Sequence, residues 1–111
     1  MITIDGLRDC GVDVETGLAR CLNKEDFYLK LIDMGIKDPH FEKLGEALEK
    51  KDYGEAFEQS HALKGIVGNL AMDELYKTVC EITELLRNKT DTDYTSLYNQ
   101  IMDIRNKIKN M

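Results

Sequence analysis

Ser60-His61-Ala62-Leu63-Lys64-Gly65-Ile66-Val67-Gly68-Asn69-Leu70 reads as one helix whose two faces differ in kind. At about 100° per residue, Ala56, Ser60, Leu63, Val67 and Leu70 gather on one side, and His61, Lys64, Gly65 and Gly68 on the other. The apolar stripe requires a core, so the histidine points to water. Glycine inside a helix costs up to about 1 kcal/mol relative to alanine. Taken alone, an exposed histidine is an ordinary surface residue. Two glycines beside it, away from the stripe that packs, are better explained by an approaching partner or ligand than by helix packing.

Outward from this stretch the chain supplies further helices. Asp52 is placed to cap the histidine helix, which is expected from Tyr53 to Leu70. Before it, Asp38-Pro39 marks a helix start, because proline suits a first-turn position that needs no N–H partner. That helix should run to about Lys51, with Phe41, Leu44 and Leu48 inward and Lys50-Lys51 in its last turn, where positive charge suits the dipole. Downstream, Leu75, Val79, Ile82 and Leu86 repeat along a helix from about Met72 to Asn88. A polar turn follows, and Tyr94, Leu97, Ile101, Ile104 and Ile108 form the cleanest stripe of the chain. Four helices of at least three turns with short connections imply an all-α, antiparallel up-down-up-down four-helix bundle.

Upstream, Lys24-Glu25-Asp26 opens a helix with Tyr28, Leu31, Ile32 and Met34 inward, ended by Gly35. Residues 7–22 form one or two short helices, with Asp13 as a cap and Val14, Gly17, Leu18 and Cys21 at helical spacing. They should pack across the end or side of the bundle. The expected organisation is one domain over 1–111, with an N-terminal helical segment at 1–22 and the bundle at 24–111.

A chain of 111 residues can bury enough surface to fold without a staple. Its net charge of −6 and scattered basic residues argue against nucleic acid and anionic membranes, whose binding depends on neutralised phosphates. Cys10, Cys21 and Cys80 are odd in number and show no C-x-x-C pattern, and only His40 and His61 could join them. No metal-site spacing results, and free thiols in a reducing cytoplasm are expected. The N-terminus lacks the pattern of a signal peptide. The starting methionine and compact length favour a free-standing protein, and a bundle that satisfies its own stripes suggests a monomer.

His61-Ala62-Leu63-Lys64-Gly65 resembles the H-x-L-K-G signature of histidine-containing phosphotransfer (HPt) domains. The similarity covers most of the chain. Residues 12–20 look like the family's N-terminal helix, and Asn69-Leu70 with Glu74-Leu75 match the usual exit from the histidine helix. Two positions depart from the pattern: Ser60 stands where alanine is frequent, and Ala71 where glycine is usual. A left-handed cap is unfavourable for alanine.

The resemblance implies a phosphorelay intermediate. His61 would accept a phosphoryl group on its distal ring nitrogen from a receiver-domain aspartate or a kinase, and pass it to another receiver. Lys64, one turn along the same face, can offset phosphoryl charge, while Gly65 and Gly68 lower the surface for docking. Phe57 has two readings: it packs under the N-terminal segment, or it offers a docked receiver an apolar contact. Lys43, counted back from the turn near Asp52, would reach the histidine level. Partners would be response-regulator receiver domains or a hybrid histidine kinase. The resemblance implies no cofactor in this chain, with Mg²⁺ supplied by the receiver. With no G-x-x-x-x-G-K-[ST] loop and no room for an ATP-binding domain, the chain should carry phosphate rather than act as a kinase. Two alternatives stay open: a helical adaptor that binds a receiver or kinase without transfer, and a small enzyme or metal protein using His61 with His40 or a cysteine.

Overall fold

Short polar side chains at the turns set where the helices begin. The computed structural model describes residues 1–111. Thr3, Asp13, Asp52 and Asp93 each accept a backbone N–H three residues on, filling a donor that a helix start leaves unpaired. Asp38 plays the same part for the His40 N–H at 2.8 Å. Seven helices result: α1 (Ile4–Asp9), α2 (Val14–Arg20), α3 (Glu25–Ile36), α4 (His40–Glu49), α5 (Tyr53–Asn69), α6 (Asp73–Arg87) and α7 (Tyr94–Lys109).

Helices α4 to α7 form the bundle. Each packs on the next and α7 returns to α4. The stripes meet inside: Phe41 and Leu44, Leu63 and Val67, Leu75, Val79 and Ile82, and Ile101 and Ile108 are fully or almost fully buried. Helix α3 lies on α7, α2 on α3, and α1 on α2, so the N-terminal residues form two short helices packed on the bundle.

Three expectations need correction. Gly35 does not end α3, which continues to Ile36; a Cβ there would come within 2.6 Å of Leu70 Cδ1, so the glycine lets α3 approach the end of α5. Met34 is not inward but 59% exposed, because Tyr28, Ile32, Gly35 and Ile36 already fill the inner face. Helix α4 stops at Glu49, and Lys51 is left-handed, at φ 57°.

The bundle also buries a charge that the apolar stripes did not suggest. Arg105 of α7 donates to the Ile36 carbonyl at 3.2 Å and to Glu42 at 3.0 Å, and its guanidinium lies over the Phe41 ring at 5.4 Å. One side chain thus ties α7 to the end of α3 and the start of α4.

Gly17 and Tyr28 join α2 to α3. A Cβ on Gly17 would sit 2.3 Å from Tyr28 Cζ, and Tyr28 is fully buried with its hydroxyl donating to the Leu70 carbonyl at 2.8 Å. Gly17→Ala should therefore cost about 1–3 kcal/mol, the usual penalty for overpacking. Urea denaturation at neutral pH checks this, and a midpoint equal to wild type would contradict the packing. Burial pushes the Tyr28 hydroxyl up to about 12, from an ordinary value of 10.0. Below the ordinary value both folded and unfolded states hold the proton and the effect cancels. As pH rises from there toward the folded value, the unfolded chain releases its proton first, so stability falls. The fall should be shallower in Tyr28→Phe, read as urea midpoints across that alkaline window; equal slopes would contradict it.

Candidate functional site

Helix α5 presents the face that its sequence periodicity requires. Ala56, Ser60, Leu63 and Val67 are fully buried. Ser60 is tolerated there because its hydroxyl donates to the Phe57 carbonyl at 3.0 Å, which satisfies a buried polar group within the helix. On the opposite side His61 and Gly65 are exposed, with Lys64 and Gly68 half-buried.

His61, Lys64, Gly65 and Gly68 line one shallow cleft of about 360 Å³, together with Asn69 and Tyr76. The four residues singled out by sequence therefore come together. The two glycines have different roles. A Cβ on Gly65 would meet nothing within 4 Å, so the backbone there is open to approach. A Cβ on Gly68 would come 2.9 Å from Tyr76 Cε1. Gly68 is thus a packing glycine beneath Tyr76, where the sequence favours an approaching partner over helix packing. Tyr76 forms a wall of the cleft, and the neighbouring Cys80 thiol, one turn on in α6, raises its hydroxyl above the usual tyrosine value.

Lys64 makes no ion pair within the chain, so its ammonium is free for an anion in the cleft. The side-chain hydrogen bonds of α5 involve Gln59 and Ser60 and leave both ring nitrogens of His61 unpaired. What touches the imidazole is Phe57, whose ring lies 5.8 Å away at 18°. Phe57 does not lie under the N-terminal segment. It lines a larger groove of about 730 Å³ with Tyr53, Leu86, Arg87 and Tyr94.

Helices α2 and α3 instead brace the exit of α5. Arg20 donates to the carbonyls of Gly68 and Asn69 at 2.9 and 3.1 Å, and Tyr28 to that of Leu70. The helix closes with Ala71 N–H on the Gly68 carbonyl and Met72 N–H on that of Val67. Ala71 adopts φ 59°, so alanine takes up the left-handed cap despite its cost.

Lys43 does not reach the cleft. It borders a separate groove between α4 and α5 with Glu46, Lys50, Asp52, Glu55 and Gln59. Ile66 is half-buried, facing Gly35 of α3. His40 pairs with the Asp38 carboxylate at the start of α4 and lies outside the cleft. The three cysteines are free thiols, and no group of three or more His, Cys, Asp or Glu side chains is placed to hold a metal ion. No helix is long and apolar enough to cross a membrane.

Asn69 and Tyr76 went unrecognised as cleft residues. Asn69 was legible as part of the helix exit. Tyr76 depends on the register of α6 against α5, which single-helix periodicity does not contain.

No curated protein and no solved structure matched the chain. The model of the Hpt domain family matches residues 38–110, from the start of α4 through the end of α7, with the His61 cleft inside that span. With that match over about two thirds of its length, on a helical bundle that exposes the signature histidine, the chain belongs to the Hpt domain family.

Proposed function

We propose that this chain is a phosphorelay carrier in which His61 is the phosphoryl acceptor. Family membership implies histidine phosphotransfer in two-component signalling. The observation that carries the finer assignment is the position of His61: exposed, at the edge of a cleft with an unpaired Lys64 and open backbone at Gly65.

Transfer requires in-line approach and charge stabilisation more than covalent machinery. A receiver domain brings its aspartyl phosphate over Gly65. The Nε2 lone pair forms the P–N bond as the P–O bond to the aspartyl carboxylate breaks, and the electron pair returns to that carboxylate. The imidazole proton stays on Nδ1, and Lys64 offsets charge on the phosphoryl oxygens. The reverse steps deliver the group to the aspartate of a second receiver. Mg²⁺ belongs to the receiver, and the chain phosphorylates nothing from ATP itself. In this reading residues 1–111 act as one unit, a monomer in the cytoplasm, with α2 and α3 bracing the histidine helix.

The test is transfer of label from radiolabelled, phosphorylated receiver domains to the purified chain. Label should appear on the chain and be acid-labile and base-stable, as phosphohistidine is. Absence of label across several receivers, with binding intact, would replace the carrier with a non-catalytic adaptor.

A further inference from the structure

A nucleophilic imidazole is ordinarily oriented by a hydrogen bond to its second nitrogen. His61 has no such partner. Exposed on a helix, an unrestrained imidazole samples more than one rotamer. Here its ring is stacked on Phe57, one turn earlier in α5, at 5.8 Å and 18°. At that separation the near-parallel rings are offset rather than face to face, a contact that still favours one orientation of the imidazole.

Phe57 is itself half-buried and lines the groove shared with Tyr53, Leu86 and Tyr94. The Arg87 guanidinium of α6 lies over the Phe57 ring, 5.1 Å from its centroid, a cation–π contact. Glu84 accepts from Arg87 Nε at 3.2 Å and so holds the guanidinium in place. Three side chains thus form a ladder from α6 to the imidazole.

We infer that Phe57 and Arg87 are positioning residues that hold the His61 ring for phosphoryl transfer, in place of a hydrogen bond to its second nitrogen. This rests on His61 being the acceptor. It gives Phe57 a role toward the imidazole itself, separate from contact with a docked receiver.

Two readouts on the full chain test it, with Phe57→Leu chosen because leucine keeps an apolar side chain at a half-buried position. The first is the NMR shifts of the His61 ring protons, which the Phe57 ring current should displace in wild type and not in Phe57→Leu. The second is the rate of phosphorylation by two donors, a phosphorylated receiver and phosphoramidate. With phosphoramidate the Nε2–P bond forms as the donor's P–N bond breaks and ammonia leaves, and no protein need dock. Phe57→Leu should slow both about tenfold, since misplacement of a reacting group costs on that order or more. Phe57→Tyr should restore both, and Arg87→Gln should move both readouts in the direction of Phe57→Leu. Unchanged ring shifts in Phe57→Leu would overturn the inference. So would a loss confined to the receiver donor, which would make Phe57 a docking contact. If wild type takes phosphate from neither donor, the acceptor assignment fails, and the inference with it. That outcome is recognisable because the ring shifts would still respond to Phe57→Leu.

Discussion

His61→Gln should take up no phosphoryl group from any receiver that labels the wild-type chain. Glutamine offers an amide in place of the imidazole, and an amide nitrogen has no lone pair available for attack on phosphorus. The substitution should leave the fold almost untouched. His61 is exposed and hydrogen-bonds nothing in the chain; what is lost is one stack on Phe57. Surface substitutions stay within about 0.5 kcal/mol, and an exposed, offset aromatic pair lies at the low end of about 0.5–1.5 kcal/mol, so the cost should be about 1 kcal/mol or less. Labelling assays beside thermal melts check both halves. A variant that still gains acid-labile label would move the acceptor elsewhere, and His40, outside the cleft and paired with Asp38, would be examined next.

Leu63→Ala should show the opposite pattern. Leu63 is two residues from His61 but on the far face of α5, fully buried within the core cluster. Deleting its branched end removes apolar contacts and leaves a cavity that closely packed neighbours fill only in part. The expected loss is about 2–5 kcal/mol, several times that of His61→Gln, read as the shift in urea midpoint at constant slope. At temperatures where the variant is still folded it should accept label, since the cleft residues are unchanged. The two substitutions form a crossed pair: one abolishes chemistry and spares stability, the other does the reverse. Melts in the opposite order would mean that α5 is rotated and that the exposed-histidine argument fails.

What could be read from the chain beforehand follows from how local each feature is. The two faces of α5 are a matter of angles within one helix, so His61, Lys64 and Gly65 were placed by periodicity alone. The bundle followed in the same way, from stripes such as Tyr94, Leu97, Ile101, Ile104 and Ile108. Features that depend on how helices slide and turn against one another were not legible. Tyr76 over Gly68 and Arg87 over Phe57 both need the α5–α6 register. Lys43 failed for the same reason: counting back from a turn gives height along a helix but not which side of it faces the histidine. Arg105 shows a third kind of limit. An arginine among apolar positions reads as surface, and its burial makes sense only once the Ile36 carbonyl, Glu42 and the Phe41 ring are brought together from two other elements.

The histidine stands near the middle of the 17-residue α5, over fully buried side chains, and no part of its cleft comes from a long loop. In kinetic terms the site is already ordered before a partner arrives. Association then has little backbone entropy to lose on this side and no lid or loop rearrangement to wait for. If the chain carries phosphate as proposed, it offers each partner a fixed target, and differences in transfer rate among partners would arise in their own surfaces and encounter geometry rather than in any reshaping of this chain.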